Sequence, residues 1–453
     1  MVEAIHYFPE DFLWGTATSS HQVEGDNTNN DWWEWEQQPA KIVHGHSSIK
    51  ACEWWKGRWE EDFDRAHNDG HNAIRLSIEW SRIEPSMGIW DESAVDQYRQ
   101  MLHGARDRDL SPMVTLHHFT NPLWFANQGG WLNDEASRHF QRYARKIVSS
   151  LDDLVDYWVT INEPNVYIYM AYVEGAFPPG EQDLRKAVKV VQNLAHGHAR
   201  AYHVIHEVNP NAKVGLAHNY RDMKPASPRN PINKWISKIR STAFNDTFPR
   251  LVQNGETRFL GRKIRVPEAT GTQDYFGLNY YTREFVKVDL RRPMELFGRG
   301  SYREEAVLSE SEFIANEPEG LWEGIKWALE YDLPLIITEN GVEDSKDTLR
   351  PRYLAEHIRK IWSAVNFNWM VKGYFHWSLV DNFEWERGWT QRFGLWALDV
   401  ETQKRRKRPS AELFAAICQS NGLSSEMVSK YAPEIFEDMF PGKGPSELVA
   451  DAS

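Results

Sequence analysis

Cysteine is scarce in this sequence of 453 residues, which contains only Cys52 and Cys418. Two cysteines cannot build a disulfide framework or a cysteine-based zinc site, so we interpret both as small buried hydrophobic residues. The N-terminus also lacks the basic and apolar regions of a signal peptide, and no apolar run approaches the roughly 18 residues of a membrane-spanning helix. These absences predict a soluble cytoplasmic protein without a membrane partner.

Phosphate-binding features are absent as well. No Gly-x-Gly-x-x-Gly motif follows the first predicted strand, and no Gly-rich loop ends in Gly-Lys-Ser/Thr, so dinucleotide and nucleotide binding have no support. The 52 Lys and Arg residues are outnumbered by 65 Asp and Glu, which gives a net charge of −13. This charge repels nucleic-acid phosphates, and the single basic stretch, Lys404 to Arg408, is typical of a solvated surface. We therefore expect no nucleic-acid partner.

The sequence does contain a regular alternation of strand-like and helix-like segments. Eight short runs are rich in β-branched and aromatic residues: Phe12 to Ser19, Ala73 to Trp80, Met113 to Phe119, Tyr157 to Asn162, Lys213 to His218, Tyr275 to Tyr281, Leu335 to Thr338 and Tyr374 to Val380. Amphipathic stretches lie between them, including Glu92 to Asp107, Glu135 to Leu151, Leu184 to Val208, Glu319 to Tyr331 and Tyr353 to Val365.

Eight such units predict an α/β fold, a single (β/α)8 TIM barrel with enlarged βα loops that spans residues 1–440. Residues 441–453 are rich in Gly, Pro, Ser and Ala and predict a loose C-terminal tail. A doubly wound open sheet is the structural alternative, but the chain lacks the glycine fingerprint that often accompanies it.

One predicted strand carries charge on one face. In Ile74 to Trp80, apolar residues alternate with Arg75, Ser77 and Glu79. A barrel strand buries both faces, so Arg75 must find a carboxylate partner in or near the barrel interior. A structural ion pair, between Arg75 and Glu79 or a similar carboxylate, and a role in a functional site are both consistent with this pattern.

Two glutamates end predicted strands. Glu163 follows the fourth strand and is itself followed by Pro164, which has no amide hydrogen to continue a strand. Glu339 follows the seventh strand, just before Asn340 and Gly341. Active sites of TIM barrels lie at the C-terminal ends of the strands, so the two carboxylates would face each other across the barrel mouth. A facing pair of carboxylates is the arrangement that glycosidic bond cleavage requires.

These segments resemble the catalytic motifs of family 1 glycoside hydrolases, the retaining β-glucosidase family. The resemblance rests on six motifs in the family's order, from about Phe8 to Cys418: Phe12 to Gly25, Arg75 to Ile83, Thr160-Ile161-Asn162-Glu163-Pro164, Phe276 to Tyr281, Ile337-Thr338-Glu339-Asn340-Gly341 and Trp377 to Trp385.

The resemblance implies catalytic roles for four residues. Glu339 would be the nucleophile and Glu163 the acid/base, with carboxyl groups about 5–5.5 Å apart. Repulsion at that distance would raise the pKa of Glu163 by about two units. Arg75 would keep Glu339 ionised, and Tyr281 would donate a hydrogen bond to it. No metal or organic cofactor is implied, because two carboxylates suffice.

It also implies a sugar pocket with polar groups for hydroxyls and a flat aromatic floor. Aromatic residues are plentiful, with 21 Trp, 17 Tyr and 21 Phe. The matching substrate-binding residues are Gln22, His118, Asn162, Asn279, Trp377, Glu384 and Trp385. Asn162 would hold the sugar 2-hydroxyl, Trp377 would stack beneath the ring, and Glu384 would repel a 6-phosphate, which favours unphosphorylated glycosides.

Several positions depart from the family's usual residues, namely Asp26, Phe119, Ile314 and Glu343. These departures concern sugar and leaving-group preference rather than the chemistry. The tryptophans Trp32, Trp33 and Trp35 could contact the leaving group or serve only the fold, and the sequence leaves both roles open.

The predicted function is a retaining exo-β-glycosidase, a β-glucosidase that could also accept galactosides and fucosides. Its expected partners are β-linked oligosaccharides or β-glycosides, and the sequence leaves the oligomeric state open. A transglycosylating β-glycosidase is an alternative, because it would use the same covalent intermediate. An inactive carbohydrate-binding relative is a third, although both glutamates are present.

Overall fold

Eight parallel strands close into one barrel in the computed structural model, which describes residues 4–441. The strands are β1 (Leu13–Ala17), β2 (Ala73–Ser77), β3 (Ser111–His117), β4 (Tyr157–Asn162), β5 (Lys213–Pro225), β6 (Phe276–Val288), β7 (Leu335–Asn340) and β8 (Val371–Trp377). Each strand pairs with its neighbours in chain order, and β8 pairs with β1 to close the ring. The predicted TIM barrel is confirmed, and an open sheet is excluded.

Helices follow the strands and cover the outside of the barrel. The principal helices are α1 (Trp59–Asn68), α2 (Glu92–Arg106), α3 (Ala136–Leu151), α4 (Leu184–Val208), α5 (Pro231–Ser241), α6 (Thr247–Asn254), α7 (Pro318–Ala328), α8 (Arg350–Asn366) and α9 (Pro409–Ser420). All five helical stretches predicted from the sequence are therefore present, with ends within a few residues of those expected.

Shorter elements fill the connecting loops. Short α-helices span Ser20–Val23, Asp31–Glu36, Trp80–Ile83, Leu123–Asn127, Pro164–Ile168, Ser425–Tyr431 and Phe436–Met439. Two π-helices span Tyr169–Glu174 and Thr242–Asp246. Two-stranded antiparallel pairs join Ile5–Tyr7 to Gly422–Ser424, Glu256–Phe259 to Arg262–Arg265, and Trp396–Leu398 to Arg405–Lys407, and Gly298–Arg299 pairs with the end of β6.

Helix α3 illustrates why these segments fold as they do. It buries Phe140, Tyr143, Ala144, Ile147 and Leu151, which recur at helical spacing and form a single apolar stripe. Burial of such a stripe against the strands supplies most of a helix's stability in a protein of this type. The sequence periodicity therefore fixes which face of the helix covers the barrel.

Strands β5 and β6 continue beyond the barrel, where the sequence predicted that they would end at His218 and Tyr281. Beyond the barrel they pair as a two-stranded ribbon from Asp222 opposite Arg283 to Pro225 opposite Val286. The Arg283 Nε donates to an Asp222 carboxylate oxygen at 2.5 Å, and this ion pair stabilises the ribbon where polar residues interrupt the apolar pattern. The interruption explains why strand-like composition alone underestimates the length.

The expectations for the two cysteines and for the C-terminal tail have different outcomes. Cys52 and Cys418 are both buried thiols, as expected. Residues 442–453 of the predicted tail lie outside the described residues, so the domain boundary at residue 440 stays a prediction. Between residues 4 and 441, the helices are too short or too polar to span a membrane.

Candidate active site

The carboxyl groups of Glu163 and Glu339 lie at the C-terminal end of the barrel, where both line one cavity. Glu339 is the penultimate residue of β7, and Glu163 directly follows the last residue of β4. Glu163 has a left-handed backbone with a φ of 42°, and Pro164 begins a short helix after it. Left-handed non-glycine residues are uncommon and concentrate at functional sites.

Glu339 is held by a cation and a phenol. Arg75 Nη1 donates to Glu339 Oε1 at 2.7 Å, and the Tyr281 hydroxyl donates to Oε2 at 2.6 Å. The Arg75 side chain is fully buried, and its Nε donates to Thr115 Oγ1 at 3.2 Å. Arg75 therefore pairs with Glu339 across the barrel, and its role in the reaction stays a prediction.

Glu163 is held only by neutral donors. Its Oε1 accepts hydrogen bonds from Asn219 Nδ2 at 2.8 Å and from Asn279 Nδ2 at 2.9 Å. Asn279 is itself oriented by the Thr338 hydroxyl, which donates to Asn279 Oδ1 at 2.6 Å. Both carboxyl groups are thus fixed in place, but only Glu339 has a positive charge in contact with it.

This difference separates the protonation behaviour of the two carboxyl groups. Burial, and secondarily the negative charge of Glu339, raise the pKa of Glu163 to about 7. Burial also raises the pKa of Glu339, but the Arg75 guanidinium and the hydrogen bond from Tyr281 act against that rise. Glu339 therefore ionises first, and Glu163 retains its proton near neutrality. Repulsion alone, the cause expected from the sequence, is the smaller of the two effects on Glu163.

Asn162 and His118 extend the network from Arg75 to the cavity wall. Arg75 Nη2 donates to Asn162 Oδ1 at 2.7 Å, and Asn162 Nδ2 lies 3.0 Å from His118 Nε2. Burial and the nearby Arg75 hold the pKa of His118 well below its usual range, so the ring is neutral. Because Nε2 accepts a hydrogen bond from Asn162, the proton is on Nδ1, which is buried and has no hydrogen-bond partner among the described residues.

Eight of the eleven residues predicted for the site line the cavity: His118, Asn162, Glu163, Tyr281, Glu339, Trp377, Glu384 and Trp385. Trp377 stacks on His118 with ring centroids 5.8 Å apart, which fixes the aromatic wall. Trp385 has a left-handed backbone with a φ of 44°, and its ring lies 5.8 Å from that of His21 in a stacked arrangement. The structure therefore unites residues that are up to 267 positions apart in the sequence, from His118 to Trp385.

The other three, Gln22, Arg75 and Asn279, lie behind the cavity wall. Gln22 Nε2 donates to the Phe383 carbonyl at 2.9 Å and to Glu384 Oε2 at 3.2 Å, while its Oε1 accepts from the Ser19 hydroxyl at 2.6 Å. Gln22 thus orients Glu384, whereas Arg75 and Asn279 orient the two candidate catalytic carboxyl groups.

The chain was then compared with known proteins. The model of glycosyl hydrolase family 1 matches residues 4–423, which is nearly the whole chain. The chain belongs to glycosyl hydrolase family 1. This membership confirms the prediction, made from six sequence motifs, of a retaining β-glycosidase.

Relatives of this family 1 chain include enzymes named for two sugars. Beta-glucosidase A of Thermotoga maritima is 32% identical, over 92% of this chain and 98% of that protein. A beta-galactosidase of Pyrococcus woesei is also 32% identical, over 93% of this chain and 98% of that protein.

Solved family 1 structures agree with the fold. A beta-glycosidase from Pyrococcus horikoshii superposes with a TM-score of 0.88 at 35% identity, covering 94% of this chain and 98% of that one. A beta-glucosidase from Thermotoga maritima in complex with glucoimidazole gives a TM-score of 0.86 at 30% identity, covering 93% of this chain and 100% of that one.

Two positions at which this family 1 chain departs from the usual pattern lie in the cavity wall. Phe119 and Ile314 both line the cavity, and Phe119 packs against Trp385 with ring centroids 5.2 Å apart. Glu343 is buried instead, and it accepts hydrogen bonds from the hydroxyls of Ser309 and, at 2.6 Å, Ser311. The departures therefore affect the wall directly at two positions and through a neighbouring loop at the third.

Of the remaining positions singled out in the sequence, Trp32 and Trp35 pack inside the protein. Trp32 is fully buried behind Trp385, with ring centroids 4.7 Å apart, and Trp35 donates to the Ala176 carbonyl at 3.2 Å. Asp26 pairs with Lys56 at 3.2 Å on the surface. Trp32, Trp33 and Trp35 are not among the residues that line the cavity.

Several residues that line the cavity or hold its carboxyl groups were missed by sequence reasoning. Asn219, which holds Glu163, lies one residue past the predicted end of β5 at His218. Further lining residues are Arg221, which also lies on β5, and Phe177, Glu386, Arg387 and Gln391, which lie in the connections between barrel strands. A longer β5, continued to the ribbon, is the one signal that would have placed Asn219 at the barrel mouth.

Proposed function

We propose that the protein is an exo-acting, retaining β-glycosidase that releases terminal non-reducing glucose from β-linked oligosaccharides or β-glycosides. Galactose and fucose are proposed as further sugars, since relatives at similar identity are named beta-glucosidase and beta-galactosidase. No metal or organic cofactor enters the proposed reaction. The cytoplasmic location and the absence of nucleic-acid and membrane partners stay predictions from the sequence.

The observation that carries the proposed roles is the unequal environment of the two carboxyl groups. Glu339 contacts the Arg75 guanidinium at 2.7 Å, whereas Glu163 contacts only the amides of Asn219 and Asn279. A nucleophile must be ionised before the reaction and an acid must be protonated. This supports Glu339 as the nucleophile and Glu163 as the acid/base.

In the first step, a Glu339 carboxylate oxygen attacks the anomeric carbon while Glu163 gives its proton to the departing oxygen. The glycosidic bond breaks, the leaving group departs as an alcohol, and a covalent glycosyl ester of Glu339 forms. Arg75 and Tyr281 hold the attacking carboxylate in one orientation, which lowers the entropic cost of the step.

In the second step, Glu163 accepts a proton from a water molecule that attacks the anomeric carbon, and Glu339 leaves as a carboxylate. Esterification has removed the charge of Glu339, so one of the two effects that raise the pKa of Glu163 is gone. Burial persists, so the pKa of Glu163 falls only part of the way toward its ordinary value. The partial fall is enough to change its role from acid to base.

The sugar would be held by polar and aromatic groups of the same cavity. Asn162, fixed by Arg75 and His118, is proposed to bind the 2-hydroxyl, where hydrogen bonds strengthen in the transition state. Trp377 provides an aromatic face for the sugar ring, and Glu384, oriented by Gln22, provides acceptors for further hydroxyls.

Glu384 also supports a preference for unphosphorylated sugars. Burial and the neighbouring Glu386 raise the pKa of Glu384 well above its usual range, so the site already disfavours negative charge. A phosphate at the sugar 6-position would add such a charge. A 6-phosphoglycoside is therefore expected to bind poorly.

The two alternative functions, transglycosylation and carbohydrate binding without catalysis, involve the same residues. A transglycosylating enzyme would use the same ester of Glu339 but pass the sugar to an alcohol or a second sugar instead of water. The ratio of transfer to hydrolysis products at high acceptor concentration separates the two. An inactive relative is disfavoured because both carboxyl groups and their partners are present.

The proposed function predicts the outcome of a panel of p-nitrophenyl glycosides. We expect release of nitrophenol from the β-glucoside, slower release from the β-galactoside and β-fucoside, and none from the α-glucoside or the 6-phospho-β-glucoside. The rate of nitrophenol release from the β-glucoside is expected to exceed that from the α-glucoside by at least about 10³-fold, because Glu163 can protonate the oxygen on only one face of the sugar. No activity on any β-glycoside would contradict the proposal.

The pKa values predict the pH dependence of kcat/KM. The free enzyme is active while Glu163 is protonated and Glu339 is ionised, so activity is expected to fall as the pH rises through about 7. On the acidic side activity falls as Glu339 gains a proton. Initial rates with p-nitrophenyl β-glucoside across the pH range measure both limbs, and an alkaline limb that persists unchanged in Glu163→Gln would show that another group titrates there.

A further inference from the structure

A second cavity lies beside the catalytic cavity and is lined in part by Asn165 and Ile168, which belong to the helix that follows Glu163. Arg221 lines both cavities, and Tyr169 and Met170, adjacent in the chain, line one each. The second cavity is therefore a separate compartment that shares a wall with the catalytic one.

The wall of this second cavity is mostly apolar and aromatic. Tyr169, Phe244, Phe248 and Phe259 line it, with aliphatic side chains between them. Both π-helices of the described chain, Tyr169–Glu174 and Thr242–Asp246, contribute to this wall. π-Helical turns are rare and occur frequently at functional sites, because they displace side chains from the regular helical positions.

Two buried polar atoms on residues of this wall lack partners. Among residues 4–441, neither Arg240 Nη1 nor Asn165 Oδ1 makes a hydrogen bond, although both residues are less than 10% exposed. Such atoms are expected to be satisfied in a native protein. One is a donor and the other is an acceptor, which is the combination that a hydroxyl group satisfies.

The charges around the cavity favour a neutral ligand. Arg221 pairs with Glu284 at 2.8 Å, and Arg240 Nη2 lies 3.7 Å from Glu284 and 3.8 Å from Glu295. Two guanidinium groups are thus matched by two carboxylates. An anion would be repelled by the carboxylates and a cation by the arginines, so neither has a net attraction to this site.

We propose that the second cavity is a binding site for a small neutral alcohol with an apolar body, of the phenol type. The aromatic wall contacts the ring, and the hydroxyl supplies the hydrogen-bonding partners that Arg240 and Asn165 lack. The proposal does not depend on the proposed function, because it concerns a compartment that contains neither Glu163 nor Glu339.

Calorimetric titration with phenol tests this site directly. A saturating concentration of glucoimidazole, which the Thermotoga maritima relative binds, blocks the catalytic cavity during the titration. We expect phenol to bind with the same Kd with and without glucoimidazole. Loss of phenol binding in the presence of glucoimidazole, or no binding to the wild type at all, would overturn the proposal.

Filling the cavity provides the matched variants. Ala243→Phe adds a ring inside the cavity and is expected to raise the Kd of phenol at least tenfold, while Ile232→Phe, on the exposed face of α5, leaves it unchanged. Leu184→Trp, at another point of the wall, replaces Ala243→Phe if thermal unfolding shows that the latter is misfolded. Unchanged phenol binding in a folded cavity-filling variant would place the ligand elsewhere.

The choice of ligand tests the recognition of the hydroxyl without any mutation. Toluene has the same ring but no hydroxyl, and it is expected to bind about tenfold more weakly than phenol, the difference made by one hydrogen bond. Benzoate is expected to bind more weakly still, because its charge meets Glu284 and Glu295. Equal affinities of phenol and toluene would overturn the assignment of Arg240 and Asn165 as the groups that bind the hydroxyl.

Discussion

Glu339→Gly is expected to lower kcat for p-nitrophenyl β-glucoside by on the order of 10⁴-fold or more, because no other group can form the glycosyl ester. Arg75 and Tyr281 would then surround an empty position, with the guanidinium left in contact with Asn162 and Thr115. The loss is measured from initial rates with purified protein. Glu10→Gly, an exposed position before β1, is the matched control and should retain full activity.

Azide distinguishes loss of the nucleophile from general damage in the same variant. Azide fits the space left by the carboxylate and attacks the anomeric carbon from the side that Glu339 occupied, while Glu163 still protonates the leaving group. The expected product is an α-glycosyl azide, identified by nuclear magnetic resonance, together with partial recovery of the rate. A β-glycosyl azide from Glu339→Gly would contradict the assignment of Glu339 as nucleophile.

The proposed catalytic pair could be predicted from the sequence because barrel geometry constrains its position. A residue at the end of a parallel strand must lie at the C-terminal face, and both Glu163 and Glu339 directly follow or end apolar strands. The position of Arg75 could be predicted for a related reason, since a charge on a strand buried on both faces requires a partner inside the barrel. The motifs of the family then supplied the roles.

Contacts within the site were harder to predict from the sequence, because they depend on the paths of long loops and on strands far apart in the chain. Asn219 and Glu163 are 56 residues apart, and their hydrogen bond exists only because β4 and β5 are neighbours in register. The amide of Gln22, a predicted sugar-binding residue, donates to the carbonyl of Phe383, 361 residues away. No local pattern of residues reports such contacts.

The second cavity could not be predicted from the sequence. Its wall combines a π-helix after β4 with one after β5. Only the packed structure shows that Ala243 and Phe244 leave space beside Tyr169 rather than filling it.

Glu163→Ala is expected to produce a loss that depends on the leaving group, which is the signature of a missing acid. Alkyl β-glucosides need a proton on the departing oxygen, so their kcat/KM should fall by about 10²–10⁴-fold. With a 2,4-dinitrophenyl β-glucoside, the departing dinitrophenolate is stable as an anion and needs no proton, so kcat/KM for this substrate should change little. Its kcat should still fall, because hydrolysis of the Glu339 ester lacks a base, and the accumulated ester should lower KM as well.

With Glu163→Ala, azide is expected to give a product of the opposite stereochemistry to that from Glu339→Gly, which completes the test of the two carboxyl groups. With Glu339 intact, the glycosyl ester forms first, and azide then attacks it from the side vacated by Glu163, so the expected product is a β-glycosyl azide. Glu163→Gln is the matched variant, since it keeps an amide near Asn219 and Asn279 but has no proton to transfer. A loss of the same size for every leaving group would mean that Glu163 positions the substrate and does not protonate it.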